Sequence, residues 1–520
     1  MIFKYALTIV VVSNVFCLTQ SSNILGIFWT PTKSHHILGS ALLQALAEKG
    51  HNVTMLSPYE DDVNIPTFRQ KKLEGIAGTF GQIMNPNVSI FQQTKMMYPI
   101  LIQSLENFWQ NEAIQELINT KEHYDVVIIM TFFNDGILAI PYHLKIPTIW
   151  FSPFGSTSLI NRYVANPNLP YSTNMQISDG IPNTFIGRLL MATMNMLLSS
   201  IEDYLFNPTG DRILREYLPN VPSISELQKN VDLVLVNSHH SIETPRPYVP
   251  NMIQIGGFYA QKIKTLPTDL KEYLDSAKDG AILFSFGTNM KIANIDKDKL
   301  DAILQGLKKI APMKVVFKSE IDLDGIPSNV VVKKWLPQND ILAHPNIRAF
   351  VSHGGLGGIT EAVFYGVPML GIPLFADQKT NILNARNTGY VVMLNYEDIT
   401  PGTFYHALKE LLGNSSYTEV SKKRSSLLRN QVINPLDNAI WWVEHIIEHK
   451  GGEHLKNIGM DLEWYQLYMV DIMLFFLMVL LVLVFLMFIL IKYVLRKVKA
   501  IVFSIMKTKT KKIKMIYTSK

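Results

Sequence analysis

The chain has 520 residues, of which 48% are hydrophobic and 18% charged, with a formal net charge of +5. That length and apolar content provide for a large core and two or more domains, and exclude a disordered chain. A single cysteine, Cys17, excludes a disulfide framework and a cysteine metal site.

Residues 1–20 read as a signal peptide. Lys4 precedes the largely apolar run Tyr5 to Val12, and Val15 and Cys17 are small enough for cleavage between Cys17 and Ser22. Ile24 to Trp29 reads as a buried strand and Pro31 to Ser34 as a loop. Ile37, Leu38, Ala41, Leu42, Ala45 and Leu46 then recur at helical spacing up to Gly50, ahead of a second strand, Val53 to Leu56. A further strand, Val126 to Met130, precedes the segment ending at Trp150. These βα units predict a mostly parallel, helix-covered sheet over residues 23–245.

Gly180 to Asp203 is apolar but too interrupted to span a bilayer, and reads as a cleft-lining helix, a helix dipping into lipid, or ordinary core. Pro245, Pro247 and Pro250, followed by Gly256-Gly257, mark an interdomain linker between Asn237 and Gly257. Ala281 to Phe286, Val315 to Lys318, Val330 to Lys333, Ala349 to Ser352, Met369 to Ile372 and Tyr390 to Leu394 predict a second open α/β domain over residues 255–445. Two such domains facing each other form a cleft at the carboxyl ends of their strands.

Residues 446–471 link this body to an uncharged apolar run, 472–491, which has the ~20 residues a transmembrane helix needs. Trp464, Tyr465, Tyr468 and Tyr493 flank it at interfacial positions. Residues 492–520 hold ten basic residues and no acid, which places this tail in the cytoplasm and the body in the lumen. With the tail accounted for, the rest of the chain is acidic, so the basic balance points to anionic membrane lipid and not to nucleic acid. A single-pass protein of the endoplasmic reticulum or plasma membrane is expected. The sequons at Asn52, Asn87 and Asn414 agree with lumenal exposure.

The most informative stretch runs from Trp335-Leu336-Pro337-Gln338 through Ser352-His353-Gly354-Gly355, Gly358 and Glu361 to Asp377-Gln378. A Trp face can stack a base, and a Gln amide can both donate and accept. Glycines between a strand and a helix let a diphosphate approach backbone N–H groups at the positive helix end. Gly355-Leu356-Gly357-Gly358 lacks the last glycine of a dinucleotide fingerprint. Asp322-Leu323-Asp324 and Asp296-Lys297-Asp298 read as loop acids.

Taken whole, this stretch resembles the signature of the UDP-glycosyltransferases. The likeness extends to the leader, Ser34-His35, the Gly256-Gly257 linker, Phe284-Ser285-Phe286-Gly287-Thr288 and the membrane span with its basic tail. The resemblance implies an α/β fold of the GT-B type, with two facing Rossmann-like doubly wound domains and a C-terminal transmembrane helix. It implies an amino-terminal acceptor domain and a carboxyl-terminal UDP-sugar domain, with inverting transfer of a hexose to a hydroxyl of a small lipophilic acceptor. UDP-sugar would be a co-substrate, with no cofactor and no metal, and self-association is left open.

The resemblance assigns Trp335 and Gln338 to the base and ribose, and Thr288, His353, Gly354, Gly355 and Gly358 to the diphosphate. It assigns Glu361 to the ribose hydroxyls, Asp377 and Gln378 to the hexose, and His35 to the role of general base, with His36 as its rival. Glucose is favoured over glucuronic acid because no basic partner for a sugar carboxylate is identifiable. The chain departs from the family pattern at Gly357, where a polar side chain is usual, and at Met130, which stands where the family has the acid that orients the base. Asp135 either folds back to reach His35 or caps a helix. A membrane-anchored binding protein that transfers nothing is the alternative function that Met130 raises.

Overall fold

Strands that are apolar without alternation need cover on both faces, and both sets of strands receive it. The computed structural model describes residues 21–79, 90–130, 132, 135–170, 184–261, 263–288, 290–375 and 377–518; the expected leader and Asn87 lie outside them. The chain divides into two compact units between Asn457 and Ile458.

The first unit contains two wholly parallel sheets. One is built from β1 (Asn23–Ile27), β2 (Asn52–Ser57), β3 (Phe68–Lys72), β4 (Val126–Met130), β5 (Thr148–Ser152), β6 (Leu233–Val236) and β7 (Met252–Gln254). Its order is β3-β2-β1-β4-β5-β6-β7. The other uses β8 (Ala281–Ser285), β9 (Lys314–Lys318), β10 (Val330–Lys333), β11 (Ile347–Ser352), β12 (Met369–Gly371) and β13 (Val391–Met393), in the order β10-β9-β8-β11-β12-β13. Both reverse direction beside their first strand, at β1/β4 and at β8/β11. The crevices that bind ligands in doubly wound sheets open at such points.

Ile24, Leu25, Val126, Val127, Ile282, Leu283, Phe350 and Val351 are each 0% exposed. Trp29, Phe108 and Trp150 fill one side of the first sheet, while Phe28, Leu42 and Phe151 fill the other. Strand β3 was not legible in the sequence because Phe68-Arg69-Gln70-Lys71-Lys72 has no apolar alternation. It is an edge strand, where lysines discourage further pairing.

The boundary between the halves is less simple than the linker suggested. β7 lies inside the stretch read as linker, and helix Pro435–Glu448 returns to the first sheet. That helix presents Ala439, Ile440, Val443 and Ile446, one apolar stripe, to the core around Leu42 and Val126. Helix Phe185–Ile201 is not ordinary core, since Phe185, Ile186, Met196 and Leu197 are all at least half exposed.

The second unit holds one long helix, Val470–Thr518, of which Val470–Lys511 is long and apolar enough to cross a membrane. It continues helical through the basic tail, where lysine and arginine are good helix formers.

Candidate functional site

His35 is the third residue of helix Lys33–Glu48, which starts just beyond β1 at the first switch point. The side chain is 8% exposed, with the rings of Phe132 and Phe154 edge-on at 5.5 and 5.1 Å. Burial lowers its pKa to about 3, and the helix amino terminus acts in the same direction. The imidazole is therefore neutral throughout the physiological range.

Its tautomer is set by a short chain of contacts. The Thr30 hydroxyl donates to Met130 Sδ at 3.7 Å, and Thr30 Oγ1 lies 3.1 Å from His35 Nδ1. With its proton directed at sulfur, the Thr30 oxygen accepts from Nδ1–H, leaving the Nε2 lone pair for an acceptor proton. His36, the neighbouring rival, is engaged elsewhere: Nδ1 is 2.8 Å from Ser57 Oγ and Nε2 is 3.1 Å from Asp61 Oδ2.

The expected pairing of Asp135 with His35 is not formed. Asp135 opens the short helix Asp135–Leu138 and accepts from Gln228 Nε2 at 2.6 Å. Among the described residues no carboxylate is hydrogen-bonded or ion-paired to His35. Glutamine and tyrosine partners far along the chain hold Asp135 in a separate buried cluster, and nothing local in Phe132-Phe133-Asn134-Asp135 signals that. Thr30 was missed for the opposite reason, being a plain strand-end residue whose meaning depends on what β4 brings beside it.

Replacing Thr30 by valine keeps the volume but removes the acceptor. A buried unpaired Nδ1–H costs about 1–3 kcal/mol. The expected outcome for Thr30→Val is a kcat about tenfold lower with an unchanged KM for the sugar nucleotide; an unchanged kcat would show that Thr30 has no part in orienting the ring.

The residues between Trp335 and Gln378 converge at the second switch point. Trp335 is 50% exposed, with Lys33 Nζ 4.3 Å and Lys318 Nζ 4.8 Å from its ring centroid. Gln338 opens helix Gln338–Leu342 and donates to Glu361 Oε2 at 2.6 Å, joining the expected base and ribose ligands in one contact. Burial raises Glu361 to about 7, against the Gln338 hydrogen bond.

His353 follows β11. A Cβ on Gly287 or on Gly355 would stand 2.6 Å from His353 Cε1 or 2.7 Å from His353 Nε2, so the imidazole lies between two backbones that only glycine leaves open. Burial, and after it the charge of Lys318, lower His353 to about 4. Gly354 has φ +87° and turns the chain into helix Leu356–Tyr365. Thr288 sits in the turn after β8, beside Gly287, and Gly358 faces Gln338. A Cβ at Gly357 would have, among the described residues, the Tyr259 hydroxyl at 3.6 Å as its one neighbour within 4 Å.

Lys318 is the functional candidate that motif reading passed over. At the end of β9 it donates to the Gly287 carbonyl at 2.6 Å, and burial lowers it to about 8. Its signal was available, as a lysine closing an apolar strand next to the strand that carries the Gly287 turn.

Asp377 stands just ahead of helix Gln378–Asn387 and accepts from Asn381 Nδ2 at 2.6 Å; burial raises its pKa. Gln378 is 8% exposed and turns back, its Oε1 accepting from Leu374 and Phe375 N–H at 2.9 and 2.8 Å. Its carbonyl thus holds its own loop. Glu243, from the linker, brings a second acid near Asp377; burial raises it to about 7, opposed by Arg246 and reinforced by Asp377.

Of the sequons, Asn52 is exposed at the start of β2 and Asn414 is exposed where it caps helix Ser415–Arg429.

Comparison with known proteins bears on the family and the fold. The family model described as UDP-glucoronosyl and UDP-glucosyl transferase matches residues 26–504. The UDP-glycosyltransferase UGT5 of Dactylopius coccus is 31% identical over 97% of this chain and 97% of its own length. The UDP-glucuronosyltransferase 2B13 of Oryctolagus cuniculus is 30% identical over 86% of this chain and 89% of its own. The calicheamicin glycosyltransferase CalG4 superposes with a TM-score of 0.57 and 16% identity, covering 84% of this chain and 99% of that one. The architecture of the first unit is the GT-B fold.

Proposed function

Because this chain belongs to the UDP-glucuronosyl and UDP-glucosyl transferase family, and so transfers a sugar from a UDP-sugar, we propose that it moves an uncharged hexose, glucose, onto the hydroxyl of a small phenolic lipophile. The donor lies along the second switch point: uracil on Trp335 with Gln338, ribose on Glu361, diphosphate at His353, Gly354, Gly355, Gly358 and Thr288, hexose at Asp377. His35 Nε2 takes the acceptor proton, the oxygen attacks the anomeric carbon, and the carbon–oxygen bond to UDP breaks with inversion. The leaving diphosphate's charge falls to the start of helix Leu356–Tyr365 and to Lys318, and no cofactor enters the scheme.

The observation that supports an uncharged sugar is the buried acid Asp377, beside which the nearby guanidinium of Arg246 is already paired with Glu243 at 3.2 Å. A glucuronate carboxylate placed there would meet the Asp377 carboxyl, with Arg246 already committed to Glu243. What supports phenols is the base. A ring lowered to about 3, with a thioether where an imidazolium would need a carboxylate, is a weak proton acceptor. A phenolic hydroxyl, with its pKa of about 10, suits it; an aliphatic alcohol does not.

Membranes carrying the full chain, given UDP-glucose or UDP-glucuronate with matched phenolic and aliphatic acceptors, test both parts. The expected outcome is phenyl glucosides, with at least tenfold lower turnover for UDP-glucuronate and for alkanols. A preference for UDP-glucuronate would remove the argument from Asp377. UDP-glucose binding with no transfer to any acceptor would establish instead the silent binding protein that Met130 raises. The apolar helix fits an anchor, and we assign the body to the lumenal face of the endoplasmic reticulum, with tail 492–520 in the cytoplasm.

A further inference from the structure

A continuous helical segment runs from Phe185 to Tyr217, interrupted only by the π-turn Glu202–Phe206. Single π-turns inside α-helices concentrate at functional sites. This one turns Glu202 inward, where the residue is 8% exposed. Helix Ile90–Gln110 packs across the segment, and between them lies a cavity of about 60 Å³. Leu101, Leu105, Leu159, Ile201 and Phe206 give it an apolar wall, into which Asp135 and Glu202 both open. Neither His35 nor any donor-site residue lines it.

The polar groups are connected on one side and incomplete on the other. Gln228 Nε2 donates to Asp135 Oδ2 at 2.6 Å and to the Tyr163 hydroxyl at 2.8 Å. That hydroxyl, with one proton to give, lies beside both acids. Glu202 Oε2, buried at the cavity, has no hydrogen-bond partner. A buried carboxylate oxygen left unpaired is costly, and such a group in a native fold calls for an explanation.

Charge leads to the same place. Arg162 is committed to Asp203, through two bonds of 2.9 and 2.5 Å. Asp135 and Glu202 therefore share whatever remains of one guanidinium, and among the described residues no basic one lines the cavity. Burial raises both, Glu202 to about 8 with the help of Asp135. At pH 7 the pair therefore holds a proton, in the place that a cation would take.

We propose that this cavity is a binding site, separate from the transfer site, for a short aliphatic ammonium. Its NH₃⁺ donates to Glu202 Oε2 and to Asp135 while its alkyl stem lies against the leucines. The volume limits the ligand: a cavity of about 150 Å³ takes benzene, about 25 Å³ per heavy atom, so about 60 Å³ holds two or three heavy atoms, the size of ethylamine.

The test uses the full chain in detergent, with ethylamine and its uncharged isostere ethanol titrated at pH 7 and followed by thermal shift and tryptophan fluorescence. The expected result is at least tenfold tighter binding of the amine. Glu202→Gln should lower amine affinity at least tenfold and leave ethanol unchanged. Leu198→Trp, which fills the cavity from its wall, should abolish binding of both. Equal affinities for amine and alcohol, amine affinity unaltered in Glu202→Gln, or binding that survives Leu198→Trp would each overturn the assignment. Should Leu198→Trp fail to fold, the Glu202→Gln comparison decides alone. Because binding is read directly, the outcome is independent of whether His35 acts as base.

Discussion

Replacing His35 by glutamine is expected to lower kcat for hexose transfer by about 10²–10⁴, the range that a positioned general base contributes, with the KM for UDP-glucose changed less than threefold. The split between the two constants follows from position. His35 stands at the β1/β4 switch point and makes none of the contacts that gather around Trp335, Gln338 and Glu361. The same residue predicts the pH profile. With its pKa lowered to about 3 by burial, the imidazole stays unprotonated across pH 5–8, so kcat should show no acid limb from His35 there. Glu361, raised to about 7, is the carboxylate only above that pH; donor KM should rise as pH falls below 7, when one oxygen is protonated and can no longer accept from the ribose. An acid limb in kcat near 6.5 that disappears in His35→Gln would mean that the ring is solvated and would contradict the buried geometry. Stability follows the linkage for a lowered histidine. The contribution of neutral His35 is complete above 6.5 and is lost as pH falls toward 3, so His35→Gln should be the less acid-sensitive protein.

The second large effect is expected at Gly354. Gly354→Ala places a Cβ 2.4 Å from Ile382 Cδ1 and 3.2 Å from the Gln378 carbonyl, on a backbone with φ +87°. Ile382 is 0% exposed and has no room to move. A left-handed residue costs about 1–2 kcal/mol and overpacking a further 1–3, so roughly 2–5 kcal/mol of stability should be lost. The same turn aims His353 and starts helix Leu356–Tyr365, so UDP affinity should fall at least tenfold in any molecules that remain folded. Calorimetric melting together with UDP titration checks both. A variant as stable as the parent, with parental UDP affinity, would show that the turn is not held as described.

The donor half was legible because its parts are close in the chain. Trp335, Gln338, His353, Gly354, Gly355, Gly358 and Glu361 sit on successive elements of one βα stretch, and parallel strand order brings the ends of such a stretch to a single crevice. Even there, side-chain direction was not readable. Gln378 was expected on the hexose, but it bonds its own loop at Leu374 and Phe375. Lys318, 17 positions before Trp335 in the numbering, reaches the Trp335 ring and the Gly287 carbonyl because β9 lies beside β8.

The catalytic half was less legible for the same physical reason in reverse. Sequence could show that Met130 stands without a carboxylate and that Asp135 is the nearest acid. It could not show where Asp135 would lie. That was decided by Gln228 and Tyr163, distant residues whose buried polar groups needed a partner and found it in Asp135.

By itself, then, the amino-acid order determined the two parallel sheets, the apolar carboxyl-terminal helix and which residues gather beside Gln338, Glu361 and His353, since these follow from hydrophobic runs and glycine turns acting locally. Only the tertiary structure decided that Thr30 and Met130 orient His35, that Asp135 belongs to Glu202, and that helix Pro435–Glu448 closes the first sheet. Those outcomes depend on satisfying buried polar groups and apolar faces across the whole fold, which no local pattern in the chain encodes.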